Sequence, residues 1–107
     1  MSAAEPRQGE IYWASLDPTV GREIAKRRPV LIVSPDDMNR NLRTVIAAPV
    51  TTTIRPWPTR YPIHLRGKRR SVALDQIRCL STARLGRKIA IVDPPPALEI
   101  LQHISAP

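Results

Sequence analysis

Residues 27–41 read RRPVLIVSPDDMNRN, and the fold turns on how this stretch is read. Pro29-Val30-Leu31-Ile32-Val33 is a β-branched run with apolar side chains at consecutive positions, the pattern of a strand buried on both faces and therefore central in its sheet. Ser34-Pro35-Asp36-Asp37 then has the form of a helix start, with Ser34 as the cap and Pro35 at the first helical position, leading into Met38-Asn39-Arg40-Asn41-Leu42. Upstream, four basic side chains (Arg22, Lys26, Arg27 and Arg28) crowd into seven positions and stop where the aliphatic run begins. Such a junction is either a solvated turn or a positive site held in place by a strand.

The elements on either side are also mostly strands. Glu10 to Ala14 has high strand propensity, and Asp17-Pro18 followed by Gly21 supplies turn chemistry. Thr44 to Val50 resumes a strand and ends in the triplet Thr51-Thr52-Thr53. From Ile54 to Pro62 the sequence IRPWPTRYP is a proline-broken surface loop with two arginines and two aromatics. Ile63-His64-Leu65 and Ser71-Val72-Ala73-Leu74 pair as a hairpin around Arg66-Gly67-Lys68-Arg69-Arg70, a tip expected to be solvated. Ile77 to Leu80 is a further short strand, Ser81 caps a helical turn through Leu85, and Lys88 to Val92 is the last strand. After Asp93 and its three prolines a helix is expected, with Leu98, Leu101 and Ile104 along one face. The sequence thus predicts one small barrel of strands with short helices inserted and one helix at the end.

Composition limits the functions available. A chain of 107 residues has the size of one domain, able to bury roughly 60–70% of its unfolded surface. No apolar run approaches the roughly 18 residues that span a bilayer, and MSAAEPRQGE has neither the basic head nor the apolar middle of a signal peptide. A soluble, intracellular protein without a membrane partner is expected. The single cysteine, Cys79, allows no internal disulfide, and its place in a strand predicts a buried, inert thiol. Twelve prolines between apolar runs suit short strands joined by stiff loops. No Gly-rich phosphate loop, metal-ligand cluster or serine nucleophile elbow is present, so neither a cofactor nor a metal is expected. His64 and His103 are read as surface histidines.

The charge is concentrated. There are 17 basic and 9 acidic residues, a net of +8, and residues 38–74 hold eight of the basic side chains with no acidic one. Such a segment attracts polyanions through phosphate contacts and counterion release, which makes nucleic acid the first partner to consider.

At this point the ordered motifs GEIYWASLDPTVGREI, RRPVLIVSPDDMNRN, TVIAAPVTT and SVALDQIRCLSTARL carry a resemblance. From about Gly9 to Val92 they are similar to the successive motifs of the MazF/PemK family of toxin endoribonucleases. The resemblance implies a mainly β, small SH3-like barrel of the MazF/CcdB type, with short inserted helices and a C-terminal helix, the whole of 1–107 forming a single domain. It implies a cytoplasmic homodimer that cuts single-stranded RNA, including mRNA, at short sequences. Cutting would be independent of the ribosome and of metal, leaving 2′,3′-cyclic phosphate and 5′-hydroxyl ends. A cognate MazE-like antitoxin, with an acidic and apolar tail across the basic groove, would inhibit it.

The same resemblance places residues. The family's catalytic arginine stands before the proline of its second strand, here Arg28, and its threonine partner follows the third strand, here Thr51. Glu23 matches the acidic residue after the loop glycine and is the candidate base. Arg22, Lys26, Arg27, Arg55 and Arg60 fall in the two loops that flank the RNA path, with Thr52 beside Thr51 and Gln76 near the RNA. Trp57 and Tyr61 are the aromatics there able to stack on bases; for Trp57 a loop anchor packed on the barrel is an equal reading.

Elementary chemistry agrees with this placement. Attack of a ribose 2′-hydroxyl on its own phosphate adds negative charge to the equatorial oxygens, and a guanidinium meets it with a fixed fork of donors. Pro29 confines Arg28 to extended backbone, which pins the start of its side chain. Two other readings stay open: a CcdB-like toxin of the same barrel that binds gyrase and cleaves nothing, against which the Arg28 and Thr51 pairing argues, and a non-catalytic RNA-binding module.

Overall fold

The computed structural model describes residues 5–16 and 26–92. The turn expected at Asp17 to Gly21, the residues Arg22 and Glu23, and the helix expected after Asp93 with His103 all lie outside the described residues.

Seven antiparallel strands form one curled sheet, a half-barrel with one α-helix inserted. They are β1 (Glu10–Ser15), β2 (Arg27–Ile32), β3 (Thr44–Thr51), β4 (Arg60–Leu65), β5 (Lys68–Ala73), β6 (Arg78–Ser81) and β7 (Leu85–Ile91), with α1 (Asp36–Leu42) between β2 and β3. The spatial order is β4-β5-β3-β2-β1-β7, and β6 pairs with β3. The mainly β, barrel-like class expected from the sequence is the class found.

β2 is central, as its pattern requires. Val30, Leu31 and Ile32 are 1%, 1% and 0% exposed. Burial of each contributes roughly 1.5–3 kcal/mol. Because side chains alternate, β2 feeds two cores: Leu31 joins Ile11, Val50, Ile63, Leu65 and Val72 on one face, while Val30 and Ile32 join Tyr12, Ala14, Val45 and Leu80 on the other. β3 bends to serve two partners along one edge, pairing Thr44 to Ala47 with β6 and then Val50 and Thr51 with β5. Pro49, which has no N–H to donate, sits at that changeover.

Several local expectations change. Ser34 does not cap α1; Pro35 occupies the cap position and no side chain bonds the helix N-terminus. The Ser34 hydroxyl is used elsewhere, donating to Asn39 Oδ1 and accepting from the Ile46 N–H. The hairpin tip is shorter than the five residues expected. Only Arg66 and Gly67 turn, both with positive φ (53° and 78°), so the connection is a two-residue turn of the primed kind. β5 therefore begins at Lys68; β4 also begins earlier than expected, at Arg60, and Pro62 is tolerated because β4 is an edge strand. β7 also starts early, at Leu85. Cys79 is exposed rather than buried: with Leu80 turned into the core, alternation turns its neighbour outward.

A polar lock ties β1 to β7, the last strand of the sheet path, and to the residues before β1. The Tyr12 hydroxyl donates to Glu10 Oε1 at 2.9 Å, the Arg7 N–H donates to the same oxygen at 2.8 Å, and Lys88 Nζ on β7 lies 3.0 Å from Oε2. Burial works to raise the Glu10 pKa, but these three donors outweigh it and hold the carboxyl below its usual value. Burial and the neighbouring carboxylate both push the Tyr12 phenol above its own.

Candidate functional site

The two arginines that open β2 leave it at successive positions of the strand, and both border one cavity. Alternation sets Arg27 with Pro29 and Leu31, and Arg28 with Val30 and Ile32. Across the sheet, Arg28 pairs with Ala14, and Pro29 with Trp13. On the other edge of β2 the recorded pairs are Val30 with Pro49, Leu31 with Ala48 and Ile32 with Ala47. The recorded ladder ends at the first of these pairs; Arg28 and Thr51 each lie two residues beyond it, where β3 has turned to pair with β5. Alternation sets Arg28 with Val30 and Ile32, and Thr51 with Val45 and Ala47, so the two side chains leave the sheet on the same face. Thr51 is 6% exposed, and its Oγ1 accepts from the Thr53 N–H at 3.1 Å, which fixes the turn that ends β3. A hydroxyl that accepts in this way keeps its own proton to donate.

The stem of the loop between β1 and β2 is anchored by the pair Ser15 and Arg27 and by the Leu16 N–H, which donates to the Lys26 carbonyl at 2.9 Å. Lys26 is exposed, with a φ of 69°. The guanidinium of Arg27 lies 5.3 Å from the centre of the Trp13 ring. Gly86 leaves room for it, since a Cβ there would stand 3.3 Å from Arg27 Nη2 and 3.5 Å from Trp13 Cβ.

Beside these residues is a cavity of about 390 Å³. Its apolar wall is made of Trp13, Pro29, Val50, Leu65 and Ile89, and Thr52 also lines it. Its basic side chains are Arg27 and Arg28 from β2 and Arg66, Lys68 and Arg70 from the hairpin. No acidic residue among those described lines it. The hairpin residues are the part that sequence reasoning missed. A signal was present: Lys68 and Arg70 continue, at every second position, the inward row that Val72 begins.

The loop between β3 and β4 is organised around Asp75. Its Oδ1 accepts from Arg60 Nε at 2.7 Å and from the Thr59 hydroxyl at 3.1 Å, and its Oδ2 accepts from Arg60 Nη2 at 3.2 Å. Burial tends to raise the Asp75 pKa, but the Arg60 guanidinium leads the contacts that hold it below the usual value. Arg60, expected in a loop beside the RNA, is instead the first residue of β4, with a side chain only 7% exposed. It lies 4.7 Å from the centre of the Trp57 ring, and the exposed Arg55 lies 5.6 Å from it. Trp57 is 47% exposed, so it is held in place by the arginines and still offers ring surface to solution. Tyr61 also belongs to β4 and packs against the first core cluster. Gln76 follows Asp75 in a 3₁₀ turn and is half-buried. Among the described residues no three His, Cys, Asp or Glu side chains gather at one point.

Residues 7–106 match the family described as PemK-like, MazF-like toxin of type II toxin-antitoxin systems. The chain belongs to that family. The Endoribonuclease toxin MazF of Escherichia coli K12 is 35% identical over 104 residues, covering 94% of this chain and 88% of the relative. MazF from Deinococcus radiodurans has a similar fold, with a TM-score of 0.83 at 24% identity over 97% of this chain and 96% of that one. The MazE-MazF structure (form II) from the same organism aligns with a TM-score of 0.75 at 27% identity, over 97% of this chain and 96% of that chain. In this MazF-like chain, Arg28 thus lines a basic cavity at the start of β2, with Thr51 at the neighbouring end of β3.

Proposed function

We propose that this chain is the toxin of a type II toxin-antitoxin system, a single-domain endoribonuclease that cuts single-stranded RNA, mRNA included, at short sequences without a ribosome or a metal. The observation that carries this reading is the placement of Arg28 and Thr51 on one face at the neighbouring ends of β2 and β3, with Arg28 and four further basic residues lining a cavity that no described carboxylate lines. The curated relative is named an endoribonuclease, which supports the same reaction here.

In the reaction, the ribose 2′-oxygen bonds to phosphorus and the bond from phosphorus to the 5′-oxygen breaks. The proton of the 2′-hydroxyl passes to a base, for which Glu23 is the candidate, and the departing 5′-oxygen takes up a proton. Arg28 binds the equatorial oxygens as their charge grows, and Thr51 donates one further hydrogen bond. The products are a 2′,3′-cyclic phosphate and a 5′-hydroxyl. Lys26, Arg22, Arg55 and Trp57 guide the strand from the flanking loops.

The protein acts as a cytoplasmic homodimer, inhibited by an antitoxin whose acidic and apolar segment neutralises the basic groove. The MazE-MazF structure from Deinococcus radiodurans supports such a partner. The test is to incubate the purified protein with long RNA in EDTA and map the new 5′ ends. Recurrent short sites bearing 5′-hydroxyls support the reading. Intact RNA, with gyrase inhibited instead, overturns it in favour of a CcdB-like toxin.

A further inference from the structure

We infer that the cavity between the start of β2 and the β4–β5 hairpin is a subsite for one nucleotide of the RNA, adjacent to the phosphate being cut. The inference rests on the reading of the chain as an RNA-cutting enzyme and adds a place and a set of contacts that the catalytic residues do not supply.

The argument begins with the hairpin register. Leu65 pairs with Lys68, and Ile63 with Arg70. Ile63 and Leu65 are buried in the first core, so Lys68 and Arg70 occupy the same inward face of the half-barrel and not its outer surface. Arg69, opposite His64, takes the outer face. A strand that turns two cations inward at the open end of a core sets like charges close together. That arrangement costs energy unless an anion lies between them or water fills the space. Arg66 from the turn, and Arg27 and Arg28 from β2, line the same space. One Arg70 nitrogen donates to the Arg69 carbonyl at 2.7 Å, which steadies the guanidinium and leaves its other N–H groups for a ligand.

The cavity floor is of the opposite character. Val50, Leu65, Pro29 and Ile89 present apolar surface next to Trp13. A basic rim over an apolar and aromatic floor suits a ligand with an anionic group on a flat, weakly polar body, which describes a nucleotide. The volume, about 390 Å³, is at the small end of ligand pockets, sufficient for a single unit of a chain. The phosphate would meet Lys68, Arg70 and Arg66, and the base would lie on the floor. An acidic peptide fits the rim less completely, since it has no flat body for the floor.

The test uses a fluorescent 2′-O-methyl oligoribonucleotide, which has no nucleophile and cannot be cut. Its binding to the full chain is measured by anisotropy across a range of salt concentrations. The variants are Lys68→Gln with Arg70→Gln, and Arg69→Gln as the outward control; glutamine keeps most of the aliphatic stem, and thermal melts confirm folding. In the double variant the slope of log K against log salt should fall by about 0.7 to 1.4, one to two phosphate contacts, with affinity lower by about tenfold or more. Arg69→Gln should bind like the parent.

Equal slopes in the double variant and the control overturn the subsite while leaving the RNA reading intact. Failure of the parent to bind any oligonucleotide overturns both. If the double variant loses binding of a glutamate-rich, leucine-containing peptide but not of the oligonucleotide, the cavity belongs to a protein partner and the nucleotide assignment is wrong.

Discussion

Asp75 grips the Arg60 guanidinium along one edge, accepting from Nε at 2.7 Å and from Nη2 at 3.2 Å, and the same guanidinium lies 4.7 Å from the centre of the Trp57 ring. One carboxylate therefore sets the position of an aromatic on the proposed RNA path through an intervening arginine. With the Arg60 side chain 7% exposed, loss of the carboxylate leaves a poorly solvated cation behind. Asp75→Asn should cost about 1–3 kcal/mol in urea unfolding at neutral pH. The sign with pH follows from the lowered Asp75 pKa. A depressed carboxyl contributes stability above its unfolded value of 3.8, and that contribution is lost as pH falls through the folded value. Parent and variant should therefore converge in acid; a constant gap down to the lowest measurable pH would contradict the assignment.

The lock at Glu10 makes a second case with a different partner. Glu10→Gln removes the charged acceptor of the buried Tyr12 hydroxyl and the partner of Lys88. A hydrogen bond to a charged group is worth about 1.5–3 kcal/mol, so chemical denaturation at pH 7 should show a loss of that order. Glu10 is also held below its ordinary value of 4.5, and its contribution should vanish as pH drops below that range. A spectrophotometric titration of the parent should find one tyrosine ionising above the usual range, by burial and the adjacent carboxylate. In Glu10→Gln that tyrosine should move down.

Adjacent threonines should separate cleanly. Thr51 shares a sheet face with Arg28 and is buried, whereas Thr52 is exposed and lines the cavity. Thr51→Val should lower the cutting rate by about 10²–10³ with the oligonucleotide affinity little changed, as expected for the loss of one preorganised donor. Thr52→Val should mainly weaken binding. The reverse pattern, measured by single-turnover cleavage, would move the hydroxyl role to Thr52.

Much of this arrangement is legible in the sequence because it rests on local pattern. The aliphatic run after Arg28 gave a central strand, the alternation around His64 gave a hairpin strand with His64 at the surface, and Ser81 gave its cap, accepting from the Ala83 N–H. The ordered motifs gave the family. What escaped depends on contacts distant in sequence. Ser34 looks like a cap, but Asn39 and the Ile46 N–H compete for its hydroxyl. Arg60 looks like a free loop arginine until the chain brings Asp75 to it. The basic run 66–70 looks like a solvated tip because a five-residue loop and a two-residue turn with two flanking strands have the same composition. The turn at Arg66 and Gly67 extends β5 back to Lys68, so that Lys68 and Arg70 continue the inward row of Val72.

The central claim is that Arg28, carried at the start of β2, stabilises the charge of the reacting phosphate. It is tested most directly by comparing parent and Arg28→Ala on one defined RNA under single-turnover conditions, with binding of the uncleavable 2′-O-methyl analogue measured alongside. The account expects the cleavage rate to fall by at least about 10²–10³ while the analogue still binds within a few-fold of the parent. Cleavage at the parent rate by a folded Arg28→Ala protein would contradict it.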